Sequence, residues 1–421
     1  MQPLAGKARR SVATSTARFC IWEGAVRSSK TVASTFRWMR YVRKGPKGNL
    51  AMIGKTERTL KRNVIDPIID MVGSKRARYL VGAGEFHLFG RRIYTAGAND
   101  ARSVEKIQGL TLAGAYGDEI ATWPEDLWDM LGTRLSVPGA QFFGTCNPAG
   151  PAHWLKKKWL DRADLWITHS GDTVVGKGET VDLHRYSFTL DDNPFLDAAF
   201  VASLKRQYVG LFRKRYIEGL WVPAEGAVYD MWDEARHVVA KLPRITDYVS
   251  LGIDFGTSAA TAALLLGVGD DGDLYLTNEW RWDSLKRQRR LTNSEYADQL
   301  LGWTRTLAVD PDWWCADPSA AGLREDLLRL GKVTAAADNS VIDGIRLVAS
   351  LLAQGLLKVH ASCEGWIEEA PGYTWDEKAS EIGEDKPVKV NDHSLDGGRY
   401  AIKTPEVVWR PLIRNVLDLA A

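Results

Sequence analysis

The sequence predicts an α/β protein whose N-terminal half is built on a mostly parallel sheet. Three observations carry that expectation. Apolar strand-like runs alternate with stretches of helical periodicity, as a parallel sheet flanked by helices requires. Two of the runs open into glycine-bearing loops, one at Gly24 and one after Gly252. The polar residues of interest fall where runs end, the place where ligands gather in such sheets.

Taken in order, Arg18-Phe-Cys-Ile-Trp-Glu-Gly24 is a strand running into a loop, and residues 30–43 have helical spacing. Residues 50–54 form a short strand and 57–72 a helix. Residues 110–116 and 141–145 are apolar runs with polar ends. From 191 to 243 the pattern is less regular, with Asp191-Asp-Asn-Pro-Phe195, an amphipathic helix over 198–209 and a turn at Pro223-Ala-Glu-Gly226. A second opening, Tyr248-Val-Ser-Leu-Gly-Ile-Asp254-Phe-Gly-Thr257, is followed by an apolar strand over 262–268. The division expected is a nucleotide-binding domain at 1–190, a linker subdomain at 191–243 and a second α/β domain at 244–421.

Composition agrees with that plan. The 421 residues are 45% hydrophobic and 26% charged, which excludes a disordered or fibrous chain and allows two or three cores. A net charge of +2 means that a nucleic-acid partner has to meet a local basic patch. Cys20, Cys146, Cys315 and Cys363 lie far apart with no CxxC spacing. That excludes a cysteine zinc site and favours a reducing compartment. No apolar run approaches the ~20 residues of a membrane span. The Arg/Ser/Thr-rich start permits a transit-peptide reading, but a strand and loop follow at once. A cytoplasmic protein is expected.

Gly24-Ala-Val-Arg-Ser-Ser-Lys30-Thr31 fits the phosphate-loop pattern G-x-x-x-x-G-K-[ST] except at Ser29. Successive N–H groups from Gly24 through Arg27, Ser28 and Ser29, with the helix amino end, make a cradle for phosphate oxygens. Lys30 would reach the β- and γ-phosphates of ATP, and the Thr31 hydroxyl would hold Mg²⁺. The plainer alternative is a glycine turn before a basic helix. Leu112-Ala-Gly-Ala-Tyr-Gly-Asp118-Glu119 reads as a strand ending in paired carboxylates. Asp118 suits the Mg²⁺ shell and Glu119 the orientation of attacking water. Thr145-Cys-Asn147 ends a third strand and could sense the γ-phosphate. Arg27 and Arg102 are candidates for stabilising γ-phosphate charge, and each could equally be a solvated surface residue.

In the second half, Asp254 ends a strand, Asp317 follows the strand Trp313-Trp-Cys-Ala316, and Asp396 lies in a helical segment three residues after His393. Carboxylates converging from two strands and a helix supply hard oxygen ligands for Mg²⁺ or Mn²⁺, and two such ions can activate water and stabilise the leaving oxygen of a phosphodiester. Singly, each aspartate could be a turn or helix cap. A rival reading takes Gly252-Ile-Asp254-Phe-Gly-Thr257 as resembling the phosphate loop of actin-like and sugar-kinase ATPases, with Leu395-Asp-Gly-Gly398 as a second phosphate segment.

The ordered set resembles the large subunit of tailed-bacteriophage terminases. It comprises the Gly24–Thr31 loop, Gly-Asp118-Glu119, Thr145-Cys-Asn147-Pro, Asp254, Asp317 and Asn391-Asp-His393-x-x-Asp396. Asp192-Asn-Pro-Phe195, Gly219-Leu-Trp221 and Asn339-x-x-x-Asp343-Gly-Ile345 spread the likeness over nearly the whole chain. The resemblance implies an ASCE-type packaging ATPase joined to an RNase H-like endonuclease. The P-loop would use Lys30 and Thr31, the Walker B pair would be Asp118 and Glu119, and the coupling segment 145–147. The nuclease metal site would be Asp254, Asp317, His393 and Asp396. It further implies double-stranded DNA, a portal protein and a terminase small subunit as partners, a homo-oligomeric ring during packaging, and residence in the host bacterial cytoplasm. Two departures stand out: Ser29 replaces glycine, and the region upstream of the loop lacks the glutamine that relatives use to read adenine. Basic runs at 156–158, 213–215 and 286–290 are the candidate DNA contacts. A helicase-like repair ATPase-nuclease and a non-enzymatic DNA clamp are the alternatives.

Overall fold

The computed structural model describes residues 4–256 and 260–414, apart from the side chains of 101–103 and 106. The chain divides into two compact units. One comprises Met1–Asp197, Arg213–Pro223 and Glu381–Glu384, the other Ala198–Phe212, Ala224–Ser380 and Asp385–Ala421. Segment 191–243 contributes to both. Among the described residues no helix is long and apolar enough to cross a membrane.

The first unit holds β1 (Phe19–Gly24), β2 (Asn49–Gly54), β3 (Ala77–Leu80), β4 (Glu85–Leu88), β5 (Arg91–Gly97), β6 (Leu112–Gly117), β7 (Gln141–Cys146), β8 (Ala163–Ile167), β9 (Thr173–Val175) and β10 (Val181–Phe188). Their order is β3-β4-β5-β2-β6-β7-β1-β10-β8-β9. The strands from β5 to β8 in that order run parallel, and β3, β4 and β9 extend the edges antiparallel. β1 is buried along its whole length, so it reads as a continuous apolar run rather than an alternating one. One face of the sheet is covered by Trp38, Tyr41 and Val42 of the Lys30–Lys44 helix. The other is covered by Leu127, Trp128 and Leu131 of the Glu125–Arg134 helix.

The helix expected over 57–72 is broken into Glu57–Leu60, a π-turn at Lys61–Ile65 and Asp66–Val72. Pro67 has no N–H to continue the i→i−4 ladder, and a wider turn takes up the mismatch. That turn places Arg62 and Asn63 beside the phosphate loop.

The second unit holds β11 (Val238–Val239), β12 (Ile245–Asp254), β13 (Ala260–Gly269), β14 (Leu274–Asp283), β15 (Trp313–Ala316), β16 (Thr334–Ala336) and β17 (Leu357–His360), in the order β11-β17-β14-β13-β12-β15-β16. β12, β13 and β14 form an antiparallel meander, and β15 and β16 continue it parallel to β12. This is the RNase H-like arrangement. The His393–Lys403 helix crosses β12 at Gly252. A Cβ there would sit 2.1 Å from the Gly397 carbonyl oxygen and 2.3 Å from the Ala401 nitrogen. Gly252 therefore serves strand–helix packing, not a phosphate loop. Leu395–Gly398 lies inside that helix, so the sugar-kinase reading loses both its segments. Thr257 lies outside the described residues.

Candidate functional site

β1 gives way to the phosphate loop at Gly24, whose φ of +126° no L side chain adopts readily. A Cβ there would lie 2.0 Å from the Phe188 carbonyl oxygen on β10. Gly24 thus lets the loop leave the sheet, and it is not among the residues that line the cavity in front of the loop. Arg27 and Ser29 also take left-handed backbone, at φ 54° and 70°. Ser29 therefore keeps the turn that glycine makes elsewhere in the pattern, at a cost of roughly 1–2 kcal/mol. Glu23, just before Gly24, is fully buried against Arg185, 2.6 Å away. Burial pushes its carboxyl up, but Arg185, Ser187 and Trp221 outweigh that and hold it below the ordinary range. These partners anchor the root of the loop. Lone residues dispersed over 198 positions left no sequence signal for them.

Three adjacent strand ends meet in front of the loop. Lys30 donates to the Ala25 carbonyl oxygen at 2.8 Å and to Asn147 Oδ1 at 2.7 Å. Thr145 Oγ1 donates to Asp118 Oδ1 at 2.7 Å. Burial pushes the Lys30 ammonium down to about 8, opposed by nearby Asp118 and Glu119. Burial also raises Asp118, opposed first by the Thr145 hydrogen bond and then by Lys30 and Asn63. Arg27, Ser28, Ser29, Lys30, Thr31, Asp118, Glu119, Thr145 and Asn147 all line one cavity of about 520 Å³. Glu119 turns the chain there at φ 54°. Arg27 is exposed, and its carbonyl accepts from Asn193 Nδ2 at 2.7 Å. The Arg102 side chain lies outside the described residues. Asn63 was not singled out by sequence, because only the π-turn brings it to Asp118.

In the second unit, Asp254 ends β12, Asp317 follows β15, and His393 and Asp396 occupy the first turn of the His393–Lys403 helix. His393 Nδ1 and Asp254 Oδ2 are 2.9 Å apart. Burial raises the Asp254 carboxyl; the His393 bond opposes this, while Asp396 and Asp317 raise it further. The hydrogen bond to Asp254 is the main cause holding the His393 imidazole above its usual value. All four residues therefore share one electrostatic neighbourhood. Their oxygens are not free, however. Asp396 is held by Arg399 and by Lys389, each at 2.8 Å, and Tyr400 donates to Asp317 at 3.4 Å. Among the described residues no three His, Cys, Asp or Glu side chains form a ready ligand set for one ion. The donor chemistry suits a hard divalent ion, and Lys389 and Arg399 occupy Asp396 instead.

Sequence reasoning missed the residues that set this helix in place. Glu369 Oε2 accepts the Ser394 and Leu395 N–H groups at 2.8 and 3.1 Å, and its Oε1 binds Arg281 at 2.6 Å. Glu279 accepts from the Gly365 N–H at 2.8 Å and from the Ser394 hydroxyl. Burial pushes Glu369 up to about 6. Glu279 and Glu369 sit in segments with no motif of their own.

Known proteins resemble this chain in sequence and in fold. The family described as terminase large subunit, T4likevirus-type, N-terminal, matches residues 22–236. A large terminase from a thermophilic bacteriophage superposes with a TM-score of 0.85 at 34% identity, over 96% of this chain and 99% of that one. The same thermophilic-phage protein solved with ATP-gamma-S gives 0.83 at 34% identity, over 94% and 98%. The large subunit of the Escherichia phage T5 terminase is 27% identical over 284 residues, 65% of this chain and 60% of that protein. The match thus spans less than two-thirds of the T5 relative. On the family match and the thermophilic-phage superposition, the chain belongs to the terminase large-subunit family.

Proposed function

We propose that the protein is a DNA-packaging motor subunit that hydrolyses ATP to drive double-stranded DNA into a procapsid and cuts concatemeric DNA with its second unit. One observation carries the reading: the ends of β1, β6 and β7 present Lys30, Asp118–Thr145 and Asn147 to a single cavity that opens on the phosphate loop. The thermophilic-phage relative, of the same fold, has been solved with ADP, at 34% identity over 95% of this chain and 99% of that one with a TM-score of 0.84, and with ATP-gamma-S.

In this reading Lys30 exchanges its Ala25 and Asn147 partners for phosphate oxygens. Thr31 and Asp118 would hold Mg²⁺, which neutralises phosphate charge when bound. Glu119 orients the attacking water, and Arg27 supplies positive charge from the loop rim. Thr145 and Asn147 sense whether the γ-phosphate is present. Asp254, Asp317, His393 and Asp396 would hold Mg²⁺ or Mn²⁺ for strand cleavage. The partners are double-stranded DNA, a portal protein and a terminase small subunit, with a homo-oligomeric ring as the working form in the host cytoplasm.

Lys30→Ala tests the motor half: DNA-stimulated ATP hydrolysis should fall at least a hundredfold, and unchanged turnover would remove it. Asp254→Ala and Asp396→Ala test the nuclease half in a plasmid-cleavage assay with Mn²⁺. Undiminished cutting would remove that half.

A further inference from the structure

The three basic runs that sequence alone marks for DNA are partly paired with acidic side chains in the fold. Lys156 pairs with Asp161 and Lys158 with Glu125. Arg213 faces Glu218, and Arg215 is buried against the Val222 carbonyl. Arg289 pairs with Glu295 at 2.6 Å. A further concentration of positive charge lies on a surface assembled from dispersed residues of the first unit.

Between Gly24 and Thr56 the chain carries eight Lys or Arg and no Asp or Glu. Arg43 and Lys47 lie at and just beyond the end of the Lys30–Lys44 helix, and with Arg91 and Arg92 they line a basin of about 540 Å³ that contains no acidic side chain. The guanidiniums there are held in place. Arg91 donates to the carbonyls of Pro46 and Gly48, both at 2.9 Å. Arg43 lies over the Phe89 ring at 5.4 Å and Arg92 over Tyr94 at 4.9 Å. Beside the basin, Arg78 on β3 pairs in register with His87 on β4, which pairs in register with Arg92 on β5. All three are exposed. Neighbouring strands lie about 4.8 Å apart, so the row spans roughly 10 Å. Basic residues directly opposite each other weaken strand pairing. Glu85 offsets two of them, at 3.1 Å from His87 and 3.6 Å from Arg92.

We infer that this surface, the outer face of β3–β5 with the Arg43–Lys47 basin, grips the phosphate backbone of double-stranded DNA. The inference deepens the packaging reading and rests on it for the identity of the duplex. Fixed guanidiniums match phosphate oxygens better than a mobile ammonium does. An acidic protein partner is disfavoured, because protein interfaces carry an apolar centre. Across residues 40–97 Val81 is the sole large apolar side chain that is exposed.

The test uses the full chain and a fluorescent 30-bp duplex, with affinity followed by anisotropy across a salt series. For both Arg78→Ala/Arg92→Ala and Arg43→Ala/Lys47→Ala, the slope of log K against log salt should shrink by about 2, near 0.9 per lost contact. DNA-stimulated ATP turnover should fall while basal turnover stays. Lys156→Ala/Lys158→Ala should leave the slope alone. Circular dichroism and basal turnover check folding, and Arg92→Glu at an exposed site serves as the second variant should a double one misfold. Wild-type slopes in the variants would overturn the inference. So would loss of binding to polyglutamate alone, which would assign the face to an acidic protein. A wild-type chain that binds no duplex counts against the packaging reading as well; wild-type binding with unaffected variants counts against this surface only.

Discussion

Lys30 and Asn147, 117 residues apart, are joined by a 2.7 Å hydrogen bond from the ammonium to the amide oxygen. The bond links the phosphate loop to the tip of β7. A nucleotide that captures Lys30 has to break it, which is how the proposed function has Asn147 register occupancy. Asn147→Ala should leave nucleotide affinity within a few-fold of wild type, because Lys30 and the loop N–H groups stay free to meet the phosphates. It should lower the stimulation of ATP turnover by DNA at least tenfold. Equal stimulation in the variant would detach Asn147 from coupling.

The same lysine sets a pH dependence. Its folded value, about 8, lies below the ordinary 10.5, because burial disfavours the charge. Between those values the unfolded chain holds more protons than the folded one, so stability rises with pH over that window. The gain approaches roughly 3 kcal/mol at 1.36 kcal/mol per unit. A bound triphosphate restores the charge, so nucleotide binding near pH 8.5 should take up a proton. Calorimetry in two buffers of different ionisation heat reads this uptake. Buffer-independent heats for wild type, or equal uptake in Lys30→Arg, would refute it.

Gly252 meets the Gly397 carbonyl and the Ala401 nitrogen with no room for a methyl group. Backbone atoms cannot yield as a side-chain tip can. Gly252→Ala should therefore cost about 2–3 kcal/mol in chemical denaturation. Gly302→Ala, in the Asn293–Thr306 helix with nothing within 4 Å of the new methyl, should instead stabilise by about 0.5–1 kcal/mol. A reversed order of the two would contradict the packing described.

Lys389 lies 2.8 Å from Asp396 and 2.9 Å from Asp392. An ion at the carboxylates competes with it. Lys389→Ala should tighten Mn²⁺ binding several-fold in a calorimetric titration, whereas Asp396→Ala should weaken it. Weaker binding after removal of Lys389 would show that the lysine supports the site and does not guard it.

Much of this molecule is readable without coordinates. The strand ending at Gly24, the helix from Lys30, the strand Trp313–Ala316 and the helix opening at His393 all have local signatures. The positions of Glu369, Asn63 and Arg185 do not. Each acts on a group far away in sequence, through a contact that no spacing encodes. The break at Pro67 is an intermediate case, since proline announces the interruption but not the π-turn that absorbs it.

Local patterning, then, determined which segments become strands and helices and which side chains stand at their ends, because hydrophobic period and glycine placement act over a few residues. Only the tertiary structure decided which charges come to lie side by side. Folding sets Lys156 and Lys158 against Asp161 and Glu125, while strand register sets Arg78, His87 and Arg92 side by side. Coulomb interaction depends on distance in space, and the chain order of charges does not contain that distance.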